Sequence, residues 1–298
     1  MSALRLRDRT LEPVAGAPVL MGIVNANSDS FSDAVRLDTL DKQVAHALAL
    51  VADGAAMIDV GGESGVTYTD VSAGDVEAGR VVPLVRALVA KGVLVSVDTW
   101  KASVAEQALA AGAHVINDTS GLADPRIAEL CAATGAALVV MHTRAAPKQV
   151  GFPDYGGDVR GDVARFLAQR CALARERGVG GDQLIVDPGP DFAKTPAESV
   201  EVMAHLADLR SLGPPILAAI SRKYFVGAIT GRPPQDRLAG TLAALGQAAD
   251  AGAAIARVHD VAAAADFLAV RAVLRGDRPM PEFDAADERL KWLRSGEE

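Results

Sequence analysis

The chain has 298 residues, 50% hydrophobic and 23% charged, with a formal net charge of −8 and an isoelectric point near 5.2. That composition suits a globular protein with a substantial core, and the acidic balance argues against the basic footprint of a nucleic-acid binder. No apolar run reaches the roughly 18 residues of a membrane span, and the charged stretch from Met1 to Pro13 lacks a signal-peptide core, so a cytoplasmic protein is expected.

Residues 1–18 read as a polar leader. Val19–Val24 is then a first buried strand, followed by a polar loop from Asn25 to Asp33 and a helical pattern from about Leu40 to Asp53. The same order recurs along the chain: an alanine-rich helix, a glycine, then a short apolar strand. Gly54 precedes Met57–Val60, Gly92 precedes Val93–Val97, Gly112 precedes His114–Ile116, and Gly135 precedes Leu138–Met141. Gly178 lies ahead of Leu184–Val186, Gly213 ahead of Pro215–Ile220, and Gly252 ahead of Ile255–Val258. Each glycine falls where a helix C-terminus favours a left-handed residue. Short apolar strands alternating with helices imply a parallel sheet. Eight strands within residues 19–275 fit one closed (β/α)₈ TIM barrel better than a doubly wound open sheet. Residues 276–298 form a charged tail or a final helix.

Barrel chemistry belongs on the loops after the C-terminal strand ends. Polar residues crowd that end: Asn25, Asp59, Glu63, Asp98, Asn117, His142, Asp187, Ser221, Lys223, Arg257 and His259. The loops at the other end carry mostly glycine and alanine. Asp98, Asn117 and Asp187 across one mouth would present acceptors and donors to a flat heterocycle, although each alone also suits a helix N-cap. Arg257 and His259 share a strand face and, near Lys223, make a phosphate clamp; Asp260 is an alternative partner for Arg257. Ser221–Arg222–Lys223 opens a helix and reads as an anion site. His46, His114 and His205 read as structural, Trp100 and Trp292 as packing groups, and Cys131 and Cys171 as buried, unreactive thiols.

With these motifs in order, residues 19–275 resemble dihydropteroate synthase. The resemblance is carried by Met21–Asn25 with Asp29–Asp33, Ile58–Ser64, Ser96–Lys101, Ile116–Asp118, Val140–His142, Asp187–Gly189, Ser221–Lys223 and Arg257–Val261. It implies a (β/α)₈ barrel, usually a homodimer, that joins a dihydropterin methyl diphosphate to p-aminobenzoate and releases diphosphate with Mg²⁺. By that resemblance Asp98, Asn117, Asp187 and Lys223 hold the pterin, with Lys223, Asp98 and Asp187 at the reacting centre. Asn25, Arg257 and His259 hold the diphosphate, with Asn25 also touching Mg²⁺. Phe31, Ser64, Phe192, Ser221 and Tyr224 border the p-aminobenzoate side.

The chain departs from the family pattern in its loops. Asn27 and Ser28 replace Thr and Pro in the first loop, and Ala34–Val35 replace two glycines. Gly65–Tyr68 stand where a Thr-Arg pair is usual, with Arg144 or Arg80 as candidate replacements for the missing cation. Asp191 and Ala193 stand where glycines are usual. The pterin half thus matches while the aminobenzoate half is altered. The alternatives are a pterin-binding barrel without synthase activity and a methyl-tetrahydrofolate-binding barrel; the retained anion groups favour a diphosphate substrate.

Overall fold

Alternation of period 2 within the strands and amphipathic periodicity between them dictate the architecture of the computed structural model, which describes residues 3–14, 16–26, 38–63 and 71–282. Two short strands, β1 (Leu4–Leu6) and β2 (Arg9–Leu11), form an antiparallel hairpin. The barrel unit then runs β3 (Val19–Asn25), α1 (Leu40–Ala52), β4 (Ala55–Gly61), α2 (Gly74–Val89), β5 (Val95–Asp98), α3 (Ala102–Ala110), β6 (Val115–Asp118) and α4 (Arg126–Thr134). It continues with β7 (Ala137–Met141), α5 (Val159–Glu176), β8 (Leu184–Asp187), α6 (Pro196–Ala204), β9 (Leu217–Ala219), α7 (Tyr224–Thr230), α8 (Leu238–Asp250), β10 (Ile255–Val258) and α9 (Val261–Leu274).

The eight strands β3 to β10 pair in parallel in the order β8-β7-β6-β5-β4-β3-β10-β9. A parallel bridge between Val186 and Ile216 joins the two ends, so the sheet closes as a barrel. All seven of the glycines that precede strands take up positive φ, as a left-handed helix stop requires.

Strand parity then sorts the side chains. Outward residues such as Ile58, Val60, Val95, Val97, Leu138 and Val140 pack under the helices in one continuous core. Inward residues Met21, Met57, Val115, Val139, Ile185, Leu217 and Ile255 fill the lower barrel. Two residues further along the inward parity, apolar side chains give way to polar ones: Asp59 follows Met57, Asn117 follows Val115, Asp187 follows Ile185, and Arg257 follows Ile255. The barrel is therefore apolar below and polar at its C-terminal mouth.

The first residues are more than a polar leader. Leu4 and Leu6 are wholly buried and belong to the inner cluster with Met21 and Met57, so the hairpin stoppers the lower end. Arg7 fixes it by donating to the carbonyls of Leu109 (2.8 Å) and Ala113 (3.3 Å). Alternation over three residues is too short a pattern to separate such a plug from a loop. Of the tail, residues 276–282 continue beyond α9 without further helix, and the rest lies outside the described residues.

Candidate functional site at the barrel mouth

The inward, polar ends of the strands converge on one mouth. Arg257 on β10 reaches across it, its Nε donating to Asp59 Oδ2 (2.6 Å) and its Nη2 to Asp98 Oδ2 (3.0 Å). Asn117 Nδ2 donates to the same Asp59 oxygen (3.1 Å), and Thr119 Oγ1 to Asp98 Oδ1 (3.4 Å). One guanidinium thus serves two carboxylates. Burial, only partly opposed by Arg257 and reinforced by the neighbouring Asp59 charge, pushes Asp98 up to about 7. Asp187 is raised as well, chiefly by burial, while the Gly189 N–H it accepts (2.7 Å) and the Lys223 charge draw it back. Burial lowers the Lys223 ammonium.

Two of the buried acceptors, Asp59 Oδ1 and Asn117 Oδ1, have no hydrogen-bond partner among the described residues. Buried polar atoms in folded proteins are normally satisfied. A mouth with unfilled acceptors is chemically matched to a ligand that donates N–H groups.

Above the polar ring lies a cleft of about 510 Å³ whose walls include Asp98, Trp100, Thr119, Phe192, Lys223 and Tyr224. The Lys223 Nζ sits 4.6 Å from the centre of the Phe192 ring, a cation–π arrangement that sets ring and ammonium together. Trp100, expected to be only a packing group, is instead part of this wall, with Lys101 Nζ 5.0 Å from its ring.

The Ser221–Arg222–Lys223 turn is not the two-cation anion site that the residues imply. Arg222 has a left-handed φ of 56° and turns to Asp260, its Nη2 donating to Oδ1 at 2.8 Å. Asp260 is therefore the partner of Arg222 and not of Arg257. Ser221 Oγ accepts the His259 backbone N–H (3.2 Å) and hydrogen-bonds His259 Nδ1 (2.9 Å), which joins β10 to the end of β9. The pair Arg257 and His259 shares a strand parity, but the guanidinium engages carboxylates inward rather than forming an open clamp beside the imidazole.

Asp191 is the departure with the clearest consequence. At φ 69° it holds a conformation that favours glycine, and its carboxylate accepts the backbone N–H groups of Tyr224 and of Phe225 (3.3 Å). It caps α7 from a distant loop. Ala193 is left-handed too, at φ 52°.

Neither candidate replacement for the missing cation faces the cleft as expected. Arg144 pairs with Asp162 (3.6 Å), and Arg80 donates to the Gly62 carbonyl (3.3 Å). Besides Lys223, the cleft is lined by Lys148, paired with Glu63 Oε1 at 2.9 Å. The second Glu63 oxygen meets Lys101, which also donates to Glu77 Oε2 (2.6 Å). This buried network of two lysines and two glutamates was not legible, because its members lie on four separated segments with no motif spacing. His114 is structural, accepting the Val95 N–H at Nδ1 (3.2 Å), and both cysteines are buried and free. Phe31, Ser64, Asn27, Ser28 and Gly65–Tyr68 lie outside the described residues.

Fold and mouth together define a (β/α)₈ barrel that binds a small polar ligand at the C-terminal strand ends. A family model described as pterin binding enzyme matches residues 21–259, and the chain belongs to that family, in its dihydropteroate synthase branch. It is 40% identical over 262 residues to the dihydropteroate synthase of Bacillus subtilis, covering 87% of each chain. It is also 42% identical over 279 residues to the inactive dihydropteroate synthase 2 of Mycobacterium tuberculosis, covering 90% of this chain and 86% of that one. The solved structure of Xanthomonas albilineans dihydropteroate synthase with 4-aminobenzoic acid superposes with a TM-score of 0.84 at 39% identity, covering 94% of this chain and 99% of that one.

Proposed function

We propose that the chain is a dihydropteroate synthase, a transferase that condenses 6-hydroxymethyl-7,8-dihydropterin diphosphate with p-aminobenzoate and releases diphosphate. The observation that carries this function is the ring of Asp59, Asp98, Asn117 and Asp187 at the mouth, with buried acceptors on Asp59 and Asn117 that a pterin's ring N–H and amino groups would satisfy. Relatives about 40% identical over most of the chain carry the same name.

In this assignment Asp98, Asn117, Asp187 and Lys223 hold the pterin. Arg257 orients Asp98 and Asp59 and, with His259 and Asn25, faces the diphosphate. The C–O bond to diphosphate breaks, cations stabilise the leaving group, and the buried carboxylates favour the cationic pterin that remains. The aniline nitrogen then forms the new C–N bond and loses a proton. No covalent bond to the protein is required. Phe192, Ser221 and Tyr224, with Phe31 and Ser64, border the aminobenzoate.

Magnesium is the implied metal. Such a cation keeps several of its waters and binds largely through substrate phosphates. Asn25, at the mouth end of β3, would contact it, and the bound ion supplies positive charge to the diphosphate. A cytoplasmic homodimer and sulfonamide binding on the aminobenzoate side complete the proposal. No helix among the described residues is long and apolar enough to cross a membrane.

The 42% identity to an inactive synthase supports one second reading, a pterin-binding barrel without turnover. Purified protein with the pterin diphosphate, p-aminobenzoate and Mg²⁺ separates the two. Equal amounts of diphosphate and dihydropteroate are expected. Tight pterin diphosphate binding with no condensation at any aminobenzoate concentration would establish the second.

A further inference from the structure

Lys194 is a fully buried lysine that hydrogen-bonds no carboxylate among the described residues. Its Nζ lies 2.7 Å from His142 Nδ1 and donates to the carbonyls of Gly189 (2.9 Å) and Phe192 (3.1 Å). An ammonium has three protons, and these are its three nearest acceptors, with the His142 carbonyl farther off at 3.4 Å. Two of them belong to the turn between β8 and α6 that carries Phe192 into the cleft. The third is fixed from below: His142 Nε2 hydrogen-bonds Asp162 (2.9 Å), and the imidazole packs edge-on against Phe166 at 4.9 Å.

The turn has reason to need such a tie. Asp191 and Ala193, on either side of Phe192, are both left-handed without being glycine. At Gly189 a Cβ would fall 2.2 Å from the His142 carbonyl, so the turn and β7 are in close contact. Tyr155 Oη donates to the Ala193 carbonyl (2.8 Å), so several side chains hold this turn by its backbone.

We propose that Lys194 is a positioning residue for the second substrate: its buried ammonium holds the Phe192 carbonyl and so places the Phe192 ring beside Lys223. The proposal rests on the synthase function for its substrate, since p-aminobenzoate is the ring that Phe192 would face. Pterin contacts on β4, β5 and β6 do not pass through this tie, and Asp187 at the end of β8 meets it only through the Gly189 N–H that it accepts. Burial holds the ammonium down to about 7, with Asp187, Asp162 and Asp191 drawing it up and Lys223 opposing them. A neutral amine keeps two donors and turns a lone pair to one of three acceptors, which loosens one tie. His142, itself lowered to about 4 by burial and by the Lys194 charge, stays neutral through this range.

The test compares the protein with Lys194→Met and Lys194→Arg, all carrying 4-fluorophenylalanine at position 192. In Lys194→Met the KM for p-aminobenzoate is expected to rise on the order of tenfold, as for one lost charged hydrogen bond, with the pterin diphosphate Kd within about twofold. Lys194→Arg should recover part of that loss. In the ligand-free protein the ¹⁹F resonance should titrate with a midpoint near neutrality and become flat in Lys194→Met. An unchanged KM, or pterin affinity that falls by the same factor, overturns the proposal. So does a ¹⁹F titration that persists in Lys194→Met, which would belong to Lys223. If Lys194→Met does not fold, the titration of the unsubstituted protein decides: a flat trace overturns the proposal. A titrating resonance in protein that never turns over overturns the synthase function and leaves the role of Lys194 standing.

Discussion

At Asp191 a carboxylate stands on a left-handed backbone and caps α7 from 33 residues away. Loss of such a cap costs about 1 kcal/mol, with a range of roughly 0.5–2. Asp191→Ala is therefore expected to lower unfolding free energy by about that amount in urea titration; no change would show that the cap is energetically idle. Asp98 is a second residue whose surroundings make a measurable claim. With its carboxyl held near 7, it loses its charge and one acceptor as pH falls below neutrality. Pterin diphosphate affinity is expected to weaken from pH 8 to pH 6. Asp98→Asn should weaken binding by an order of magnitude and remove that component of the pH dependence. Lys194 makes the opposite contribution to folding. Its folded value of about 7 lies below the ordinary 10.5, so the unfolded chain binds one more proton between those limits. Stability from this group rises with pH across that window, and the full burial penalty is present below it. The difference in denaturation free energy between the protein and Lys194→Met should shift accordingly over pH 7 to 10.

Among the elements, the hairpin of β1 and β2 is the one whose importance exceeds its length. Leu6 is wholly buried against the inner barrel cluster. Leu6→Ala should cost roughly 2–5 kcal/mol, the usual range for a leucine deleted from a core. The hairpin closes the end opposite the mouth, so the KM values of the folded variant should remain unchanged; a large KM change would mean that the lower barrel is coupled to the site. The strand ends supply the contrasting lesson. Asp59, Asn117, Asp187 and Arg257 each continue the inward parity of an apolar residue two positions earlier, Asp98 continues that of Ser96, and the parallel register sets Asp98 beside Asn117.

For the whole molecule, closure of the sheet through Val186 and Ile216 makes the mouth a rigid ring assembled from every strand. A ligand that fits only the closed ring stabilises the fold by mass action. Pterin diphosphate at 100 times its Kd should add about 2.7 kcal/mol, seen as a rise in Tm. Lys223→Ala should lose most of that rise; an equal rise in both proteins would remove Lys223 from the site.

Much of this was readable from the chain alone because the determinants are local and repeated. The seven glycines stop helices by backbone preference, the apolar runs are set by burial, and the polar residue after each run falls at the strand end wherever a parallel sheet forms. Eight such repeats leave little choice but a barrel, and Asp98, Asn117, Asp187 and Lys223 follow at its mouth. Partnership was decided only by the tertiary structure. Arg222 turns to Asp260, Arg257 is shared by Asp59 and Asp98, Asp191 caps a helix on another loop, and Lys194 disappears beneath Phe192. Those outcomes depend on distances between segments far apart in the chain and on how much water each pair loses. No spacing in the sequence encodes either quantity, whereas the periodicities that build the barrel are written in every repeat.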